Sequence, residues 1–224
     1  MIDILMDELM LTKVKKLLSN LLSDHPRLFD AVKSAYRVVK KDYIYRKISE
    51  FLKQSSNVRF VQIGSNDGLL NDPLREFIVQ GKLRRGILIE PIPYLFKSLV
   101  RNYRSVRSNE LQFWNGAVLG EGNSILYMIR EDRLSNYPKT ATQISSFDRQ
   151  HVAKHFPESE SIQNDIKEIK VRNISISEIL DDLGGEIDLL QIDIEGGEFD
   201  FIFAFPFQDS KPKMIIYCNI IIFC

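Results

Sequence analysis

Three stretches of this chain place carboxylates, two of them beside glycines, in patterns that could do chemistry: Gly64-Ser65-Asn66-Asp67-Gly68, Glu90-Pro91 and Asp193-Ile194-Glu195-Gly196-Gly197-Glu198. In the first, Gly64 and Gly68 allow positive φ and close approach of backbone to a ligand. Between them Ser65, Asn66 and Asp67 turn readily and hydrogen-bond locally. Glu90 follows at close to the ~20-residue offset at which an acid reaches an adenosine ribose. Glycine turn and acid together fit an adenosine-bearing cofactor. A dinucleotide site would use G-x-G-x-x-G, whose middle glycine lets the backbone crowd a pyrophosphate. Here the spacing is G-x-x-x-G with Asn66 in the middle, and Asp67 would repel phosphate. A cationic sulfonium with an α-amino group suits an acid-bearing turn better, which points to S-adenosylmethionine.

Methyl transfer to an alcohol needs a base within hydrogen-bond reach of the acceptor proton. Asp193, Glu195 and Glu198 are the first candidates, with His151 and His155 a second set. Glu195 and Glu198 could equally serve a helix N-terminus, where an acid is stabilising by ~0.3–1 kcal/mol. His151 and His155 stand at i, i+4, but a catalytic zinc site wants three protein ligands and the sequence fixes no third. No metal is therefore expected.

These groups need a scaffold that holds strand ends together. Val58–Ile63 is β-branched and aromatic, as suits a parallel strand covered on both faces, and it runs straight into the glycine turn. Asp72-Pro73 predicts a helix N-cap with proline at N1, the helix running through Val79 to Gly81. Gly86–Glu90 reads as the second strand, Tyr94–Tyr103 as a helix and Gln112–Leu119 as the third strand. Ser124–Ile129 is expected to pair back on that strand as a hairpin. From Arg130 to Lys167 the pattern is weak apart from one helix over Phe147–Phe156, and so long a polar stretch reads as a lid or binding loop. Ile169–Ile176 predicts a short strand and Ser177–Leu183 a helix capped by Ser177. Ile187–Ile194 is the second strongest strand, Phe199–Phe205 a helix and Met214–Tyr217 a last strand. Alternating strands and helices predict a doubly wound parallel sheet, with ligands bound outside its carboxyl ends.

Upstream, residues 2–22 and 27–53 both show helical periodicity, the second with Leu28, Val32, Tyr36, Val39, Tyr43, Ile48 and Leu52 on its apolar face. Residues 1–56 thus form a helical extension and 57–224 the α/β domain. The second helix is basic. It could touch anionic lipid or an acidic glycan, although a solvated helical cap is the plainer account. Overall the chain has 30 basic and 30 acidic residues, so net charge gives no case for a nucleic-acid partner. Two cysteines, Cys218 and Cys224, make no disulfide framework, and the acidic N-terminus is unlike a secretory signal. No apolar run approaches the ~20 residues that span a bilayer. A cytoplasmic protein is the expectation.

The stretches Val61–Gly68, Ile89–Pro91, Asn115–Val118 and Ile187–Glu198 resemble the FkbM-type methyltransferases, the last most specifically, and the likeness covers about 58–217. It implies a class I (Rossmann-like) methyltransferase fold and methyl transfer from S-adenosylmethionine, usually to an oxygen of a polysaccharide or glycolipid sugar or of a polyketide-type product. Carried over, Gly64, Ser65, Asn66 and Gly68 would line the methionine and ribose, Glu90 would hold the ribose hydroxyls, Asn115 would lie by the adenine and Asp193 near the methyl. The family commonly has an acid, contacting the cofactor's amino group, where Gln62 stands; Asp67 is expected to supply that charge. It commonly has lysine where Gln191 stands. Such enzymes also have two more strands after Tyr217, so a chain truncated after the fifth core strand is expected, with an open edge and an apolar tail over 218–224. The expected function is S-adenosylmethionine-dependent O-methylation of a glycan or small-molecule acceptor. The alternatives are a NAD- or nucleotide-binding Rossmann protein and a non-catalytic binding module.

Overall fold

The structure, a computed structural model, describes residues 41–69, 72–106, 108, 110–118, 124–194, 198–217 and 220–223. Among them the strands are β1 (Arg59–Ile63), β2 (Arg85–Glu90), β3 (Leu111–Asn115), β4 (Ala117–Val118), β5 (Ile125–Ile129), β6 (Ser145–Ser146), β7 (Ile166–Lys170), β8 (Asn173–Ile174), β9 (Leu189–Ile192), β10 (Met214–Tyr217) and β11 (Ile220–Phe223). The helices are α1 (41–54), α2 (Arg75–Val79), α3 (Pro93–Asn102), α4 (Arg149–Ala153), α5 (Ile162–Asp165), α6 (Ile176–Leu183) and α7 (Glu198–Ala204).

The central sheet has the order β11-β10-β9-β1-β2-β3. Its β10-β9-β1-β2-β3 portion is parallel throughout, and β11 joins β10 antiparallel. Residues 220–223, expected as an unpaired tail, therefore form a sixth strand. β1 and β9 are central, so both faces of each must be apolar. Phe60 and Leu189 point into one cluster with Ile44, Ile48, Phe77, Leu99 and Met214. Val61, Ile63, Leu190 and Ile192 point into another with Ile179, Leu183, Phe201 and Phe205. α1, α2 and α3 thus cover one face, α6 and α7 the other: the doubly wound arrangement predicted. On α1 the buried stripe is Ile44, Ile48 and Phe51, whereas Tyr43, predicted inside, is exposed. Ile48 is buried as predicted, while Ile44 and Phe51 take the inward positions expected for Tyr43 and Leu52. The expected helix over 2–22 and the first part of the second helix lie outside the described residues.

At the opposite end of the sheet from the candidate site, Arg59 ties β1 to β9. Its backbone N and Nε donate to Asp188 Oδ2 at 3.0 and 2.9 Å, and Lys213 Nζ donates to Asp188 Oδ1 at 2.8 Å. Burial works against ionisation of Asp188, but these donors outweigh it and hold its pKa at about 2.

Residues 124–170 depart furthest from expectation. β5 does not return onto β3; it pairs antiparallel with β7 and β6 in a separate three-stranded sheet. Leu126 and Met128 alternate with Tyr127 and Ile129, so each face of this sheet can be buried. One face packs against Ile92 and Leu95, the other against Val152, Phe156 and Ile162. The polar 130–167 stretch is thus a folded layer with its own core. The expected helix over 147–156 is shortened to α4, and the strand expected over 169–176 divides into β7 and β8. α6 starts one turn-position earlier than predicted, because Ser175, not Ser177, accepts from Glu178 N at 3.1 Å.

Candidate active site

β1 ends in a turn fixed by hydrogen bonds at every step. Gly64 N and Ser65 N both donate to Ile89 O of β2, at 3.0 and 2.9 Å, and Gly68 N donates to Ser65 O at 3.0 Å. Asn66 takes φ +50°, stabilised locally as its Oδ1 accepts from Asp67 N at 2.7 Å. Gly64 has φ +79°, and a Cβ there would lie 1.9 Å from the carbonyl oxygen of Asp193. Gly68 has φ +69°, and its Cβ would meet Tyr103 and Leu99 of the α3 segment. The close approach that both glycines permit is therefore to the protein's own chain. They pack the turn against β9 on one side and α3 on the other.

Glu90, the last residue of β2, sits against this turn. Its Oε2 accepts from Asn66 N and its Oε1 from Ile92 N, each at 2.8 Å. At 4 % exposure the side chain is buried. Burial raises its pKa to about 7; the two backbone donors pull it down, and the charge of Asp67 adds to the rise. Each carboxylate oxygen accepts one bond here and keeps a further acceptor position. Asn115, paired with Glu90 in register, donates from Nδ2 to Glu90 O at 2.8 Å and to Pro91 O at 3.2 Å. Asp193 follows β9, its N donating to Ile63 O at 2.9 Å, with its side chain exposed. Turn, Glu90, Asn115 and Asp193 thus share one edge of the sheet. Glu195 lies outside the described residues; Glu198 opens α7, and the placement of its side chain is likewise outside them.

Asp67, expected to supply the charge that an acid at position 62 would carry, is held within the turn. Asp67 Oδ1 accepts from Leu69 N at 2.9 Å. Gln62 instead donates from Nε2 to Asp72 Oδ1 at 3.0 Å. Asp72 also accepts from Leu74 N, Arg75 N and the Tyr103 hydroxyl, at 2.8, 3.1 and 2.8 Å. Burial pushes its pKa up against the pull of these donors. The sequence marked Asp72 as the helix cap with Pro73 at N1; α2 instead starts at Arg75 with Leu74 as its N-cap, and Asp72 accepts from the amides of Leu74 and Arg75 at that start. Its link to Gln62 and Tyr103 joins residues from three elements and could not be read from spacing.

Tyr94 at the start of α3 is another group that the sequence did not single out. Burial, then the charges of Glu131 and Glu90, push its phenol up to about 12. Glu131 itself is paired with Lys167 at 3.1 Å, so residues 124–170 bring charged groups to the neighbourhood of Tyr94. The two histidines offered as bases lie elsewhere. His151 is on α4, on the face of the three-stranded sheet opposite Ile92 and Leu95, with its Nδ1 3.0 Å from Lys154 Nζ.

A parallel sheet with helices on both faces, joining a glycine turn to an acid at the tip of the adjacent strand, is a Rossmann-like fold of the class used by methyltransferases. The chain belongs to the FkbM methyltransferase family: the family's profile, the methyltransferase FkbM domain, matches residues 62–221. No curated protein and no solved structure matches. Methyltransferases of this kind draw on S-adenosylmethionine as methyl donor. The residues present suit that group, since Glu90 retains acceptor positions for hydroxyls and the 64–68 turn carries an acid and no base.

Proposed function

We propose that this chain is an S-adenosylmethionine-dependent O-methyltransferase acting on a sugar hydroxyl of a polysaccharide, glycolipid or natural product. The observation that carries the proposal is the 2.8 Å bond between the Glu90 carboxylate and Asn66 N, which sets the acid beside the first turn. In this reading Glu90 accepts from the ribose hydroxyls, the backbone of Gly64, Ser65, Asn66 and Gly68 lines the methionine and ribose, and Asn115 flanks the adenine. Gln62 and Asp67 complete the methionine end.

The sulfonium supplies an already activated methyl group. What remains for the protein is to hold the acceptor oxygen in line and to exclude water, and such positioning is worth up to ~7–11 kcal/mol. In this reading Asp193, whose carbonyl oxygen lies against Gly64, is set near the transferred methyl. Its carboxylate and those of Glu195 and Glu198 are the set from which a base would take the acceptor proton. The acceptor is a glycan or small molecule, not nucleic acid, and the setting is cytoplasmic. Among the described residues no helix is long and apolar enough to cross a membrane.

The test is ligand-dependent stabilisation. At 100 times its Kd, S-adenosylhomocysteine adds about 2.7 kcal/mol of stability, whereas NAD at the same concentration adds none. Stabilisation by NAD instead would overturn the proposal.

A further inference from the structure

Gln62 and Gln191 are register partners in the central pair β1 and β9, and both belong to the face that carries Phe60 and Leu189. They are 2 % and 3 % exposed. In each, the side-chain oxygen Oε1 is fully covered and accepts no hydrogen bond among the described residues. Two such acceptors side by side in a sheet centre run against the rule that buried polar atoms are satisfied.

Reversing the Gln62 amide does not remove the problem. Its Nε2 donates to Asp72 Oδ1, and the reversed amide would set an oxygen against that carboxylate. The Asp72 oxygens are held in turn by Leu74 N, Arg75 N and Tyr103. The orientation of Gln62 is thereby fixed, and its Oε1 has no donor among the described residues. A water molecule has two O–H donors, one for each glutamine oxygen, and buried waters characteristically serve polar atoms of this kind.

We propose that Gln62 and Gln191 hold one buried water molecule between them, a permanent donor site that bridges β1 and β9. The resulting chain runs from Gln191 through water and Gln62 to Asp72, and from Asp72 to α2 and Tyr103. It ties the central strands to both ends of the 64–72 segment and so positions the turn that Glu90 contacts. The site stands independently of the methyl-transfer reading, because it needs no cofactor.

Gln191→Met decides the matter by sign. Methionine fills similar volume but accepts no comparable bond. With the water in place, the variant strands a donor and lowers Tm by roughly 2–6 °C. In a Gln62→Met background, where the bridge is already gone, the same change has no such effect. If Gln191→Met raises Tm or leaves it unchanged in the otherwise unaltered protein, the oxygen had no partner and the proposal fails. Melts are run on protein dialysed free of small molecules, with and without S-adenosylhomocysteine. A loss seen only with that ligand would identify its ammonium group, not water, as the donor. A crystal structure of the unsubstituted protein gives a second measurement. A solvent peak within hydrogen-bonding distance of both Oε1 atoms supports the bridge, and a direct Gln191–Gln62 amide contact overturns it.

Discussion

Replacing Glu90 by glutamine separates the energetic burden of a buried acid from its use. In the folded protein this carboxyl ionises at about 7, against an ordinary value of 4.5, chiefly because it is buried. Below pH 4.5 both folded and unfolded chains carry the proton. Between 4.5 and about 7 only the folded chain keeps it, so stability falls as pH rises; above that window both are ionised and the fall is complete. The total is about 3 kcal/mol. For a chain of this size it corresponds to a Tm lower by roughly 6–12 °C. Glu90→Gln stays neutral throughout and removes this slope. Its amide nitrogen cannot accept, so one of the bonds from Asn66 N and Ile92 N is lost, at about 1–3 kcal/mol independent of pH. The variant should therefore be the less stable protein at pH 5, and the gap should close or reverse by pH 8.5. Urea titrations of both proteins at half-unit intervals measure the difference, in which every other titrating group cancels. A gap that stays constant within about 0.5 kcal/mol across the range would refute the account of Glu90 as an acid strained by burial. Under the proposed function the same variant also binds S-adenosylhomocysteine more weakly, most clearly at high pH, where the wild-type carboxylate is ionised.

Gly64→Ala combines φ +79° with a Cβ 1.9 Å from the Asp193 carbonyl. It should destabilise by upwards of ~3 kcal/mol, read as loss of soluble protein or a collapse of Tm. Asp188→Asn removes an acid whose folded pKa, about 2, lies below its ordinary value. The stability that this acid contributes is present above pH 3.8 and lost as pH falls towards 2, so the variant should lie below wild type at pH 7 and converge with it in acid-titration melts. Ser175→Ala deletes the cap that accepts from Glu178 N and should cost about 1 kcal/mol in denaturant titrations. Ser177→Ala, one position into the helix, should have a smaller effect.

Local pattern was enough to pick out β1, β2, β3, β9 and β10 and to show that they pair in parallel. Val58–Ile63 and Ile187–Ile194 are apolar on both faces, and only central strands of a two-sided sheet use such residues. The same pattern put the turn, Glu90 and Asp193 at strand ends that share one edge, because parallel strands present all their carboxyl ends together. Where phase or partner mattered, local pattern fell short. Ser175 and Ser177 are equally good caps in sequence, and backbone direction chose between them. A hairpin from β3 to β5 satisfies turn chemistry, yet Leu126 and Met128 bury against Ile92 and Leu95 only if β5 pairs with β7. Tertiary structure alone decided that Gly64 yields to Asp193 and Gly68 to α3, that Gln62 answers to Asp72, and that Gln191 lies beside Gln62. Each of these joins residues distant in the chain, and contact at that range is set by how the faces of the sheet are filled.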